Sequence, residues 1–219
     1  MTKILARRSL ELGTSAASEP LFIWEPVPDL CTPDELENCF EALKLVKVVS
    51  PNHQELAAFL GKSNELVKDG RLNRSAVEAM CAQWLISGIG KNGDGSVVVR
   101  CGASGCYYAS LDSSRQLSGG WLPAYHQDST KVVDPTGGGN TFLGGFAVGL
   151  VRTESVREAT IWGNIAASFA IEQVGMPHLQ PGNESEQETR DEISTERWNG
   201  QRVSARLMAY RNTVEELGH

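Results

Sequence analysis

Asp134 to Phe146 reads DPTGGGNTFLGGF, and this stretch decides the fold. The short apolar run Lys131 to Val133 predicts a strand that empties into the glycines Gly137, Gly138 and Gly139, and the residues after them predict a helix from about Asn140 to Val151. With no Cβ to obstruct them, backbone N–H groups can converge at the positive end of a helix dipole and form an anion hole. The pattern is not a P-loop, because no Lys-Ser/Thr follows the glycines, and it does not fit the dinucleotide spacing G-x-G-x-x-G. The same residues also suit a purely structural turn, with Gly144 and Gly145 allowing close helix packing. Both readings stay open at this point.

Upstream, strand and helix signals alternate. Leu21 to Trp24 is an apolar run stopped by Glu25, Pro26 and Pro28. Thr32, Pro33 and Glu35 supply an N-cap, a first-turn proline and a capping-box acid for a helix reaching about Lys44. Leu45 to Val49 predicts a strand, Glu55 to Leu60 a helix, and Ser75 to Ile86 a longer helix ending at Gly88. Ser96 to Cys101 and Cys106 to Ser110 predict strands around a turn at Gly102 to Gly105, and Trp121 to His126 predicts another. Downstream, a helix from about Ser155 to Val174 is closed by Gly175 and Pro177.

The ends differ in character. Residues 1–20 suit a short helix and linker, residues 21–181 form the α/β domain, and residues 182–200 carry six acids against two arginines and predict an acidic mobile loop. In residues 201–219, Val203, Leu207, Tyr210, Val214 and Leu217 make one apolar helical face, expected to pack on its own domain. With 219 residues and 41% hydrophobic content, the chain can bury one sizeable core. Its net charge of -7 argues against non-specific binding to nucleic acid or an anionic membrane. Cys31, Cys39, Cys81, Cys101 and Cys106 follow no C-x-x-C spacing and predict reduced thiols in a cytoplasmic protein. His53, His126, His178 and His219 form no ligand pair, and no apolar run approaches the ~20 residues of a membrane helix.

The glycine stretch resembles the C-terminal signature of the PfkB, or ribokinase-like, carbohydrate kinases, D-T-x-G-A-G-D-x-F-x-G-G-F. Asp134, Gly137, Gly139, Phe142, Gly144, Gly145 and Phe146 match it, Gly138 stands for alanine and Pro135 for threonine. Ser50-Pro51-Asn52-His53-Gln54-Glu55 resembles the family's N-x-x-E motif, although an N-cap with its capping-box partner would give the same pattern. Arg100-Cys101-Gly102-Ala103-Ser104-Gly105 resembles the T-L-G-x-x-G turn, with Arg100 where threonine is usual. The phrases WEPVPDLC, SPNHQE and VVDPTGGGNTFLGGF look most like the fungal maintenance-of-killer branch, over about residues 20–180.

The resemblance implies a three-layer α/β/α sandwich and ATP-dependent phosphoryl transfer to a sugar or nucleoside hydroxyl. It implies that Gly137, Gly138 and Gly139 hold the transferred phosphoryl group and that Asn52 and Glu55 organise Mg²⁺. Gly102, Gly105 and Asn164 would then line the nucleotide, and Asp134 and Thr136 would lie beside it near a monovalent-cation loop. Two departures qualify this. Asn140 stands where the family has its aspartate general base, and a carboxamide accepts no proton at neutral pH. The resemblance also begins just before a mid-domain strand, so the N-terminal part and its β lid are expected to be lacking, unless supplied by a protein partner or another copy. A weakened kinase and a non-catalytic pseudokinase are the two expectations; a dinucleotide oxidoreductase is disfavoured.

Overall fold

A computed structural model of the protein describes residues 20–180 and 197–218. A five-stranded sheet runs in the order β1 (Ile23–Trp24), β2 (Val48–Val49), β5 (Ser96–Arg100), β6 (Cys106–Leu111), β7 (Leu117–Leu122). The first three strands are parallel and the last two antiparallel. Between β2 and β5 lies a small hairpin of β3 (Val67–Lys68) and β4 (Arg71–Leu72). Ser96 to Val99 are buried without interruption, as expected of a strand covered on both faces.

Side chains alternate between those faces. Val49, Val97, Val99, Tyr107 and Ala109 pack with Leu43 from α1 (Leu36–Leu43), Leu56 and Phe59 from α2 (His53–Phe59) and Trp84 from α3 (Arg74–Ser87). Val48, Val98, Cys106 and Leu122 pack with Phe146, Ile161 and Leu207 from α4 (Gly138–Thr153), α5 (Val156–Ile171) and α6 (Val203–Glu216). The result is the expected α/β/α sandwich.

The helices α4 and α5 lie close enough that a Cβ at Gly149 would stand 2.8 Å from the Trp162 side chain, and one at Gly145 would reach the Trp162 carbonyl at 2.7 Å. Gly144 faces open space, so close packing rests on Gly145 and Gly149. The final helix packs on its own domain through Leu207, Tyr210 and Val214. Its Arg206 is buried, donating to Ser168 Oγ at 2.9 Å and pairing with Glu172 at 2.9 Å, with its guanidinium stacked over Phe169.

Several expectations need correction. Lys131 to Val133 is not a strand: Ser129–Lys131 forms a 3-10 turn, and the amides of Val133 and Asp134 donate to Ile171 O. The strand expected at Trp121 to His126 lies earlier, at Leu117–Leu122, where Gly119 is needed because a Cβ would collide with Tyr108 O. Thr32 makes no side-chain cap, and Pro33–Glu35 is a 3-10 turn ahead of α1. Arg197–Trp198, assigned to the acidic loop, is strand β9 between β8 (Leu179–Gln180) and β10 (Gln201–Arg202). The opening helix and most of the acidic loop lie outside the described residues.

Candidate active site at the start of α4

Ligands of open α/β sheets bind outside the carboxyl ends of the parallel strands. Here those ends supply Glu25 after β1, Ser50 and Asn52 after β2, and Arg100 at the end of β5. An isolated parallel bridge pairs Asn52 with Arg100, and Arg100 N donates to Pro51 O at 3.1 Å. The chain ends of β2 and β5 are therefore stitched side by side.

Asn52 caps α2 while Glu55 closes the capping box. Asn52 Oδ1 accepts from the amides of Gln54 at 2.9 Å and Glu55 at 2.8 Å. Glu55 Oε2 accepts from Asn52 N and Glu55 Oε1 from Asn52 Nδ2, both at 2.7 Å. The two readings of this motif are thus compatible: the cap fixes a buried carboxylate at the strand ends.

Arg100 crosses in front of that carboxylate. Its Nη2 pairs with Glu25 Oε1 at 2.5 Å, donates to Ser50 O at 3.0 Å and lies 3.8 Å from Glu55 Oε2. Its Nη1 lies against Gly139, where a Cβ would collide with it. The guanidinium therefore joins the strand ends to the first turn of α4.

That turn begins at Gly137, a left-handed cap with φ +80° that offers no side-chain hydrogen bond. Gly138 N donates to Pro135 O at 3.1 Å, and Thr141 N and Oγ1 both donate to Gly137 O at 2.9 Å. Amides of a helix's first turn have no intrahelical acceptor, so those of Gly139 and Asn140 are available to an oxyanion. Gly138 is buried, and a Cβ there would press on Ile171 at 2.9 Å. Asn140, the third helical residue, is exposed.

The remaining candidates surround this centre at differing removes. Asp134 Oδ1 accepts from Thr136 N at 2.9 Å, and that bond holds the Asp134 carboxyl below the usual carboxylate range. Gly102 is exposed in the turn that follows Arg100, and Gly105, at φ +86°, sits where a Cβ would collide with Leu122 O. Asn164 meets the start of β6, one residue beyond Gly105. Its Nδ2 donates to Tyr210 Oη at 2.9 Å and to Cys106 Sγ at 3.2 Å, and Tyr210 Oη donates to Pro123 O. Glu25 and Arg100 are the participants that sequence reasoning missed; the one signal of Glu25 is a lone acid directly after a buried apolar run, and that of Arg100 a basic residue where the resembling turn has threonine.

The sequence profile of the pfkB family carbohydrate kinases matches residues 12–181. The chain belongs to that family. Protein MAK32 of Saccharomyces cerevisiae is 35% identical over 176 residues, covering 78% of this chain and 47% of that protein. Among solved structures, adenosine kinase from Schistosoma mansoni in complex with 2-fluoroadenosine matches with a TM-score of 0.56 at 21% identity, covering 78% of this chain and 45% of the other. Ribokinase from Thermotoga maritima matches with a TM-score of 0.53 at 18% identity, covering 89% and 50%. These likenesses give the PfkB member its ribokinase fold, and the chain spans about half the length of the relatives it matches.

Proposed function

We propose that this PfkB member keeps the phosphate end of a kinase site: it binds Mg·ATP and transfers the terminal phosphoryl group, slowly, to a sugar-like or nucleoside hydroxyl. The observation that carries this reading is the meeting of uncapped α4 amides with Arg100, Glu25 and the Asn52–Glu55 pair at the ends of three parallel strands.

The donors fit a hydrated Mg²⁺. That ion keeps several waters and is met by one or two carboxylates together with substrate phosphates. Glu55, oriented by Asn52, is such a carboxylate, whereas no group of three or more His, Cys, Asp or Glu able to cage a metal occurs among the described residues. Bound there, the ion would supply charge neutralisation across the phosphates.

The residues of the chain do the rest. The amides following Gly137 hold the oxygens of the transferring group, so charge is met by dipoles already in place. Gly138 seats the turn against Ile171 and Gly139 leaves room for Arg100 beside those amides, while Gly102 and Gly105 shape the turn beside the nucleotide, with Asn164 on the neighbouring helix. Asp134 and Thr136 form the loop that a monovalent cation would share. Asn140 orients the acceptor hydroxyl but cannot take its proton, and the absence of a positioned base typically costs ~10²–10⁴-fold in rate. The five buried thiols support a reducing, cytoplasmic setting.

The test is product formation from Mg·ATP with pentoses, hexoses and nucleosides, using the protein at its natural length. Asn140→Asp is expected to raise turnover by about 10²-fold or more. Asn140 also favours a second reading, a nucleotide-binding pseudokinase. That reading holds if Mg·ATP raises the melting temperature while neither form turns over. If Mg·ATP neither binds nor reacts, both readings fail.

A further inference from the structure

We propose that Arg100 is the residue through which this chain holds a terminal phosphate, and that Glu25 is its stand-in anion, exchanged for the phosphate when a polyphosphate binds. The proposal rests on the functional reading above and names a regulator of that same site.

Three observations converge on Arg100. First, its side chain is only 15% exposed, yet Nε is buried with no hydrogen-bond partner while all the polar contacts given above fall on Nη2. A native fold seldom leaves a buried donor unpaired, and a planar guanidinium is shaped for phosphate oxygens. Second, Nη1 lies against Gly139, at the helix turn whose amides are open to an oxyanion, so one ligand oxygen array could meet both sets of donors. Third, Glu25 faces the same cation as Glu55. One guanidinium between two carboxylates leaves the cluster net negative, and an arriving polyphosphate must displace one of them. Glu55 is fixed by two bonds from Asn52, at 2.7 Å each. Glu25 is held to the cluster through the Arg100 ion pair and is the more exposed of the two, with 29% of its side chain accessible against 8% for Glu55. Glu25 is therefore the group that leaves.

This exchange makes the pair a latch on the anion hole. The latch opens only for a ligand carrying enough negative charge to outcompete a carboxylate, so nucleosides and monophosphates would be held poorly compared with triphosphates.

Calorimetric titration with inorganic tripolyphosphate in chelator tests the latch, because it removes the base, the sugar and the metal from the comparison. Glu25→Gln, close to isosteric, is expected to tighten tripolyphosphate binding about tenfold by removing the competing carboxylate. Arg100→Thr is expected to weaken it by about 10- to 100-fold, with Arg100→Lys intermediate. In the double variant the gain from Glu25→Gln should vanish, a coupling that mere destabilisation would not produce. Circular dichroism on each variant verifies the fold.

If Gly138→Val abolishes binding while Glu25→Gln and Arg100→Thr leave it within twofold, the latch is wrong and the phosphate hole stands. If the unaltered protein binds neither tripolyphosphate nor Mg·ATP, the functional reading fails and takes the latch with it. Additive effects of the two substitutions would also overturn the exchange.

Discussion

Gly105 shows how a single missing side chain supports a site. It lies at φ +86° and ψ −136°, in a region open essentially to glycine, and its Cα faces the backbone of Leu122, the last residue of β7, and of Pro123 just beyond it. Neither neighbour is a flexible side chain that could swing aside. Gly105→Ala should therefore cost about 2–3 kcal/mol or more, read as a lower urea midpoint. At Asn140 the expectation has the opposite sign. Asp introduced at the third residue of α4 would face the positive end of the helix dipole and should add about 0.5 kcal/mol while ionised. Because the helix favours the charged form, the Asp pKa in the folded state would be lowered. The gain is present above the unfolded carboxylate pKa and lost as pH falls through the folded one, so unfolding curves of Asn140→Asp and the unaltered protein should separate at pH 7 and approach each other near pH 3.

At the level of elements, α5 and α6, neighbours within one helical layer, are held together by a polar pin as well as by apolar packing. Arg206 on α6 reaches Ser168 and Glu172 at the end of α5 and Gln201 in β10, with rings of Phe169 and Tyr125 on its faces. Arg206→Ala takes the guanidinium from the Glu172 carboxylate and leaves it with His126 Nε2, 3.0 Å away. Breaking a buried pair from one side costs about 3–5 kcal/mol, and the partial exposure of Glu172 puts this case at about 3 kcal/mol. Calorimetric melting should show it. None of this network was legible in the sequence, because Arg206 reads as one more polar residue beside an apolar stripe.

What could be read follows local physics. The helices α3, α4 and α5 were legible to within a few residues from periodicity and closing glycines, and β5 and β6 from their β-branched and aromatic runs. The glycine turn and the Asn52–Glu55 spacing were legible for the same reason: both are local. The two-residue strands β3 with β4 and β9 with β10 are local hairpins around Asp69-Gly70 and Asn199-Gly200, a signal present in the sequence but passed over for want of apolar alternation, whereas β8 exists only through pairing with β9, nearly twenty residues on. Leu117–Leu122 was disguised by Ser118, Gly119 and Gly120, whose smallness reflects the close approach of Tyr108. The Glu25–Arg100 pair was likewise invisible, since parallel strands place side by side residues far apart in the chain.

Across the whole molecule, all five cysteines are free and buried, distributed over both faces of the sheet. Burial, above all, pushes the thiol of Cys31 up to about 11 and those of Cys39 and Cys106 to about 12, and it raises Cys81 and Cys101 as well. The folded protein therefore keeps protons that the unfolded chain releases above about pH 8.5. Between the unfolded and folded pKa values the native state binds more protons, so stability must fall as pH rises. It is at full strength below pH 8 and declines progressively above pH 9. The melting temperature should drop from pH 8 to pH 10.5, and Cys39→Ala with Cys106→Ala should make that drop shallower, because two of the contributing groups are gone. The same burial makes the thiols reporters of global opening. A disulfide reagent should label them at the unfolding rate or with the unfolding equilibrium, not at the rate of an exposed thiolate. Mg·ATP at saturation should slow that labelling at all five positions together if it binds the native state. Slowing confined to Cys101, next to the Gly102 turn, would instead show that the ligand shields one corner without stabilising the fold.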